Sequence, residues 1–450
     1  MITVFSADFN PGAYVDLLGR LDPIRCAGRV TQVVGLTVEA VGLACRVGEL
    51  CEVRSGYAGR SMLAEVVGFR GDRSLLMPLG EMEGIQPGAE VVAAGEPFAV
   101  PVGYELLGRI LDGLGRPMDG GGPLGQRRRH LAVDAVPDPL RRRPIREPFA
   151  TGVRAIDGLL TCGKGQRIGI FAGSGVGKST VLGMITRNSR ADVAVVALVG
   201  ERGREVREFI EQDLGADGLR RSVVVVSTSD QPALVRMKAA WVATAIAEWF
   251  RDEGADVVLL MDSVTRFAMA QREVGLAIGE PPAVKGYTPS VFTLMPRLLE
   301  RAGTSDRGTI TGFYTVLVEG DDLTEPVTDT VRGTLDGHIV LTRALAAENH
   351  YPAIDVLESV SRVMPRVADD AHRRAAGKVR QMLATYREAR DLINIGAYVA
   401  GSNPQIDEAI RLLPEINAFL RQVPEERTPA GEVVGRLMEL SGVEVGSDAA

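Results

Sequence analysis

Histidine, cysteine and aromatic residues are scarce in this 450-residue chain: four histidines, four cysteines, and 5% Phe, Trp and Tyr. The cysteines, at 26, 45, 51 and 162, show no C-x-x-C spacing and no histidine cluster beside them, so neither a zinc site nor a disulfide framework is indicated. An excess of positive charge is missing too. The formal net charge is -7, which argues against a nucleic-acid footprint over the whole surface. No apolar stretch approaches the ~18 residues that span a bilayer. The start, Met1-Ile-Thr-Val-Phe-Ser-Ala-Asp8, lacks the positive charge and apolar run of a secretory signal. A cytosolic protein is expected, one that docks at a membrane through partners.

What is present divides by composition. The length suits about three domains at roughly 150 residues each. From 25 to 100, short β-rich runs such as Gly28-Arg-Val-Thr-Gln-Val-Val34 and Glu65-Val-Val-Gly-Phe69 are broken by glycines, the pattern of a small β-barrel or sandwich. Residues 101–150 turn to glycine, proline and arginine, including Gly120-Gly-Gly122, Arg127-Arg-Arg129 and Arg141-Arg-Arg143, and read as a connection. Its arginines suit salt bridges in a solvated linker better than a phosphate or nucleic-acid site. Between 151 and 365, apolar β-branched runs at 167–171, 193–199, 222–227, 257–261 and 309–318 alternate with helical stretches. Such runs suit strands covered on both faces, hence an α/β domain with a mostly parallel sheet wrapped by helices. Residues 366–450 carry Ala, Arg, Leu and Glu at helical spacing, a small helical C-terminal domain.

The first of those strands leads into Ala172-Gly-Ser-Gly-Val-Gly-Lys-Ser-Thr180. Glycines at 173, 175 and 177 let the backbone curl so that successive N–H groups point inward, and a helix opening near Ser179 adds the positive end of its dipole. The segment reads as a phosphate-binding loop of nine nucleotide-contacting residues: Ala172, Gly173, Ser174, Gly175, Val176, Gly177, Lys178, Ser179 and Thr180. Lys178 would reach the β- and γ-phosphates and Ser179 would hold Mg²⁺. Ala172 stands where the general pattern has glycine, which is tolerable only if that residue needs no positive φ.

Phosphoryl transfer needs further charged groups at neighbouring strand ends. The run Asp256-Val-Val-Leu-Leu-Met-Asp262 ends in a carboxylate suited to Mg²⁺ through water, or else a plain helix N-cap. Glu201, after the 193–199 run, would orient the attacking water, and a charged surface turn is the alternative.

Several segments together resemble one family, the hexameric ATPases related to the catalytic head of rotary ATP synthases, and within it the ATPases of flagellar and other type III protein export. The matching residues are the loop at 172–179, Gly200-Glu-Arg-Gly-Arg-Glu-Val206, Met261-Asp-Ser-Val-Thr-Arg-Phe-Ala-Met-Ala-Gln271, Gly279-Glu-Pro-Pro282, Gly286-Tyr-Thr-Pro-Ser-Val-Phe292, Tyr351-Pro-Ala-Ile-Asp355 and Ser359-Val-Ser-Arg362. The likeness is strongest from 144 to 365 and weakest after about 380.

The resemblance implies a RecA-like P-loop core behind an N-terminal β-barrel, with ATP as substrate and Mg²⁺ as its metal. It casts Glu201 as the carboxylate that activates water, with Arg202 beside it. Tyr351 would stack on adenine, Phe419 would line the same pocket, and Arg362 would be the arginine finger reaching a neighbouring subunit's γ-phosphate. One chain carries the loop lysine, the carboxylate and the finger, so identical copies suffice for a homohexamer. The loop, with Ala-Met-Ala-Gln-Arg272 downstream, looks more like the flagellar branch than the virulence-secretion branch. Other implied partners are a negative regulator at an N-terminal segment, 1–24, whose Val4, Phe5, Phe9, Tyr14, Leu17 and Leu18 permit an amphipathic element, a central stalk-like protein, chaperone–substrate complexes and the membrane export gate. Two readings compete. An RNA-translocating ring would stack bases on aromatics of its β domain, yet 25–100 holds only Tyr57, Phe69 and Phe98, scattered. A rotary synthase subunit is opposed by the short helical C-terminal region and by the full set of site residues in one chain.

Overall fold

A computed structural model describes residues 27–54, 61–125, 129–133, 136–318, 320, 322 and 324–443. The expected docking segment 1–24 lies outside these residues. Chain contacts divide the protein into a unit ending at Phe98 and a second running from Ala99.

The first unit is a closed barrel of six strands: β1 (Ala27–Val34), β2 (Thr37–Val41), β3 (Glu49–Arg54), β4 (Ser61–Arg70), β5 (Arg73–Pro78) and β6 (Glu90–Pro97), in the order β1-β2-β5-β4-β3-β6. Alternating residues make it. Val30, Val38, Ala40, Cys51, Val53, Ala64, Val66, Leu76 and Val91 point inward and form its core, while closure leaves no unpaired strand edge.

The second unit is built on a large sheet. Its strands are β7 (Ile110–Asp112), β8 (Arg167–Ala172), β9 (Val193–Glu201), β10 (Ser222–Thr228), β11 (Asp256–Asp262), β12 (Thr309–Leu317), β13 (Gly337–Leu341) and β14 (Ile354–Ser361). They lie in the order β14-β13-β8-β12-β11-β9-β10-β7, and a two-residue strand, Gly303–Thr304, pairs β12 from outside that path. All pairings from β13 to β7 are parallel, and β14 is antiparallel to β13. Val193 to Gly200 of β9 are buried without a break, as a strand covered on both faces requires. At about 1.5–3 kcal/mol for each fully buried aliphatic side chain, such runs dominate the stability of the sheet.

Helix α1 (Arg154–Leu159) precedes β8 and α2 (Lys178–Asn188) follows the phosphate loop. Helix α3 (Ala233–Asp252) is buried along nearly its whole length, including Glu248, which pairs with the equally buried Arg301. A charge so placed persists only with its partner. Helices α4 (Asp370–Asn394), α5 (Pro404–Leu420) and α6 (Ala430–Ser441) form the C-terminal bundle. Its apolar face is continuous with the core under the sheet: Ile416, Phe419, Val433 and Leu437 share one cluster with Ile156, Leu159 and Ile168. In the connection, Arg141 pairs with Asp306 at 3.3 Å and Arg142 donates to the Ala302 carbonyl at 2.7 Å, so these arginines hold the chain to its own unit. No helix of the described residues is long and apolar enough to cross a membrane.

Candidate active site

Parallel pairing brings strand ends that are far apart in sequence to one edge. Ala172 pairs with Leu317 and with Leu341, while Leu198 pairs with Asp262, so the loop after β8 faces the ends of β9 and β11 across β12. Gly175 and Gly177 adopt φ of 78° and 88°, values that a side chain strains, and Gly177 opens α2 with its first N–H groups free of side-chain caps. Ala172 ends β8 with no positive φ, so alanine fits there without cost.

Lys178 lies at the centre. Its ammonium contacts the Asp262 carboxylate and stands 3.6 Å from a Glu201 oxygen, with all three side chains largely enclosed. The Thr315 hydroxyl donates to the same Asp262 oxygen at 2.7 Å. Burial works against the lysine charge, but Asp262 and Glu201 outweigh it and hold the Lys178 pKa above its ordinary value. Glu201 moves the other way. Burial, then the negative charge of Asp262, raise its pKa to about 7 against the pull of Lys178. A carboxylate poised there can hold or release a proton near neutrality.

The other expected residues are distributed unevenly. Tyr351 is 42% exposed, and its ring lies 3.7 Å from where a side chain on Gly177 would begin, an ordinary contact; it is the φ of 88° that calls for glycine there. It walls a cavity of about 570 Å³ together with Thr180, Val181, Met184, Arg421, Val423 and Pro424. Phe419 is not in that wall: it is fully buried against Gly158 and Val433. Its place in the chain is near the cavity, but α5 turns the ring inward, and Val423 and Pro424 supply the surface instead. Arg202 is exposed and pairs with Glu205 at 3.7 Å. Arg362 sits at the opposite edge of the sheet. Its N–H donates to Asp336, whose N–H donates to Arg167 at the start of β8, about 16 Å of strand from the loop.

Two arginines went unnoticed in the sequence. Arg343 lays its guanidinium against Gly173, where an added Cβ would meet Nε at 3.0 Å. Arg266, within the 261–271 motif, packs under Gly200, and its Nε is buried with no hydrogen-bond partner among the described residues. Neither residue type announces itself, because arginine is frequent and only the fold shows which ones face the loop.

Hard oxygen donors suit Mg²⁺, and the Asp262 carboxylate and Ser179 hydroxyl are of that kind. Among the described residues no group of three or more potential metal-binding side chains occurs.

Three family models match the chain. The nucleotide-binding domain of the ATP synthase alpha/beta family covers residues 152–361, the beta-barrel domain of the same family 30–95, and the T3SS EscN ATPase C-terminal domain 368–439. The chain is 55% identical to the flagellum-specific ATP synthase of Bacillus subtilis, over 96% of its own length and 98% of that protein. It is 53% identical to the type 3 secretion system ATPase of Xanthomonas euvesicatoria, over 89% and 90%. Among solved structures, the assembled ATPase EscN of the enteropathogenic E. coli type III secretion system matches with a TM-score of 0.86 and 47% identity, over 92% of this chain and 100% of that one. EscN in complex with its central stalk EscO matches with a TM-score of 0.85.

Proposed function

This chain belongs to the ATP synthase alpha/beta family of ATPases, and we propose that it hydrolyses ATP, with Mg²⁺, at the interfaces of a ring of identical copies, energising delivery of substrates to a flagellar type III export apparatus. One observation carries the interface reading. Lys178, Glu201 and Asp262 meet at one edge of the sheet, while Arg362 is at the other, so Arg362 is placed away from the phosphate site of its own chain.

Each group then has a task. The loop N–H groups and Lys178 bind the phosphates, which draws Lys178 away from Asp262. Glu201 orients water and accepts its proton, and Arg362 of the next copy faces the transferred phosphoryl group. Asp262 and Ser179 would hold Mg²⁺, which would supply neutralisation of the phosphate charge. Tyr351 stacks on the base in the adjoining cavity. The EscN–EscO pair supports a central stalk-like partner for this chain; the family resemblance alone suggests the others, a regulator at residues 1–24, chaperone–substrate complexes and the membrane export gate. The relatives named type 3 secretion system ATPases support a virulence apparatus as the second reading. Genes for flagellar rod, hook and basal body beside this one decide for the first, and needle-complex genes for the second.

Mixing variants tests the shared site. Glu201→Ala and Arg362→Ala chains are each expected to be nearly inactive, and their mixture to recover turnover at interfaces that regain both groups. Mixed rings of mass-verified composition with no recovery would sink the proposal.

A further inference from the structure

The wall of the base cavity opposite Tyr351 is a segment of irregular chain, Arg421 to Glu426, that follows α5. Irregular backbone has no ladder of its own to fix it. Here the bonds come from beneath. Arg154, on α1 and only 5% exposed, donates through Nε to the Phe419 carbonyl at 2.8 Å, through Nη2 to the Arg421 carbonyl, and through Nη1 to the Glu426 carboxylate. Its backbone N–H donates to Gln422 Oε1 at 2.8 Å. Gln422, also buried, donates through Nε2 to the carbonyls of Gly152 at 2.9 Å and Glu426 at 3.0 Å. The Gln422 N–H reaches the Tyr351 carbonyl at 2.9 Å, which joins the two walls directly. Arg187, on the helix that follows the phosphate loop, donates to the Pro424 carbonyl at 2.8 Å.

We propose that Arg154, with Gln422, is a positioning residue for the nucleotide base: it latches the 421–426 segment to α1 and so sets the gap between Tyr351 and Val423–Pro424. Arg154 does not line the cavity. Its guanidinium spends its donors on the back of the wall, and it is the planar fork, rather than charge alone, that satisfies two carbonyls and a carboxylate together. Without it the Phe419 and Arg421 carbonyls and the Glu426 carboxylate lose this donor, and the segment is free to move off the base. The helix after the phosphate loop touches the segment only at its far end, through Arg187 and Asn188, and among the described residues neither Arg154 nor Gln422 bonds Lys178, Glu201 or Asp262, so the two ends separate in binding.

The inference rests on the reading of this cavity as the base site, and one set of measurements distinguishes the two. Calorimetry with Mg²⁺ gives Kd for ADP and for pyrophosphate, which lacks a base. Arg154→Ala is expected to raise the ADP Kd about tenfold or more, as loss of a charge-assisted hydrogen bond implies, and to leave the pyrophosphate Kd within about twofold. Arg154→Lys, which keeps charge without the fork, falls between. If Arg154→Ala does not fold, Gln422→Leu carries the test and shifts ADP in the same direction. Equal shifts for ADP and pyrophosphate, or an unchanged ADP Kd in the folded variants, overturn the latch. Tyr351→Ala serves the prior reading: if it leaves ADP binding unchanged, the cavity is not the base site, whatever Arg154 does.

Discussion

The phosphate end and the base end of this site are built in opposite ways. At the phosphate end, three ionisable side chains converge, one from the end of the phosphate loop and two from the ends of β9 and β11: Asp262 and Glu201 hold the Lys178 pKa up, and burial with Asp262 raises that of Glu201. At the base end, the surface is mostly apolar, an aromatic ring with aliphatic groups, and the Phe419 and Arg421 carbonyls accept from the latch behind it. The phosphate end is thus specified by which residues occur at the strand ends. The base end is specified by how a distant segment is held. Chemistry belongs to the first and affinity to the second, and perturbing each should leave a different kinetic mark.

The sharpest contrast comes from Glu201→Gln. It removes the proton acceptor and keeps the shape, so kcat is expected to fall by about 10²–10⁴, with KM for ATP little changed. A loss in KM with intact kcat would move Glu201 out of the chemistry. At the base end, Tyr351→Ala removes a stacking surface worth about 1–3 kcal/mol, so steady-state assays should show KM for ATP raised roughly tenfold or more while kcat stays close to that of the natural chain. A kcat collapse there would erase the division between the ends.

The smallest effect is in pH. With its pKa raised to about 7, Glu201 is protonated on the acid side and cannot accept a proton, so kcat/KM of the free enzyme should decline on the acid side, to about a quarter of its alkaline plateau at pH 6.5. Glu201→Gln should flatten that limb. The sign for stability is the reverse of an ordinary carboxylate. The folded chain binds this proton more tightly than the unfolded one, so Glu201 favours the fold at low pH and that contribution is lost as pH rises from about 4.5 through 7.

The sequence was most legible where one physical demand decides the residue. Near-continuous apolar runs revealed β8 to β12 because strands buried on both faces tolerate little else. The loop glycines were readable because positive φ excludes side chains. β13 was missed, being only five residues long, and β14 was missed because an edge strand admits Asp355, Glu358 and Ser359, which break the apolar run. β7, three residues inside a stretch rich in glycine and proline, joins the sheet only through its pairing with β10. Phe419 shows a different limit. Its position along the chain was close to the cavity, but the direction of its ring is set by α5 packing on α1, which no local pattern encodes. Arg154, Arg266 and Arg343 were invisible for a related reason: their partners are far off in sequence, up to 272 residues for Arg154 and Glu426.

The shared core beneath the sheet bears on how such a chain can be recombined. Composition changes near 366, which invites treating the last helices as an exchangeable module, yet Phe419 fills the space above Gly158, and His372 bonds the Gly158 carbonyl at 2.8 Å. A chimera that imports a foreign 368–439 segment inherits a socket shaped for different side chains. To graft cleanly, the donor must also bring the short helix at 154–159, so the true seam of this protein runs through its three-dimensional packing and crosses the chain twice.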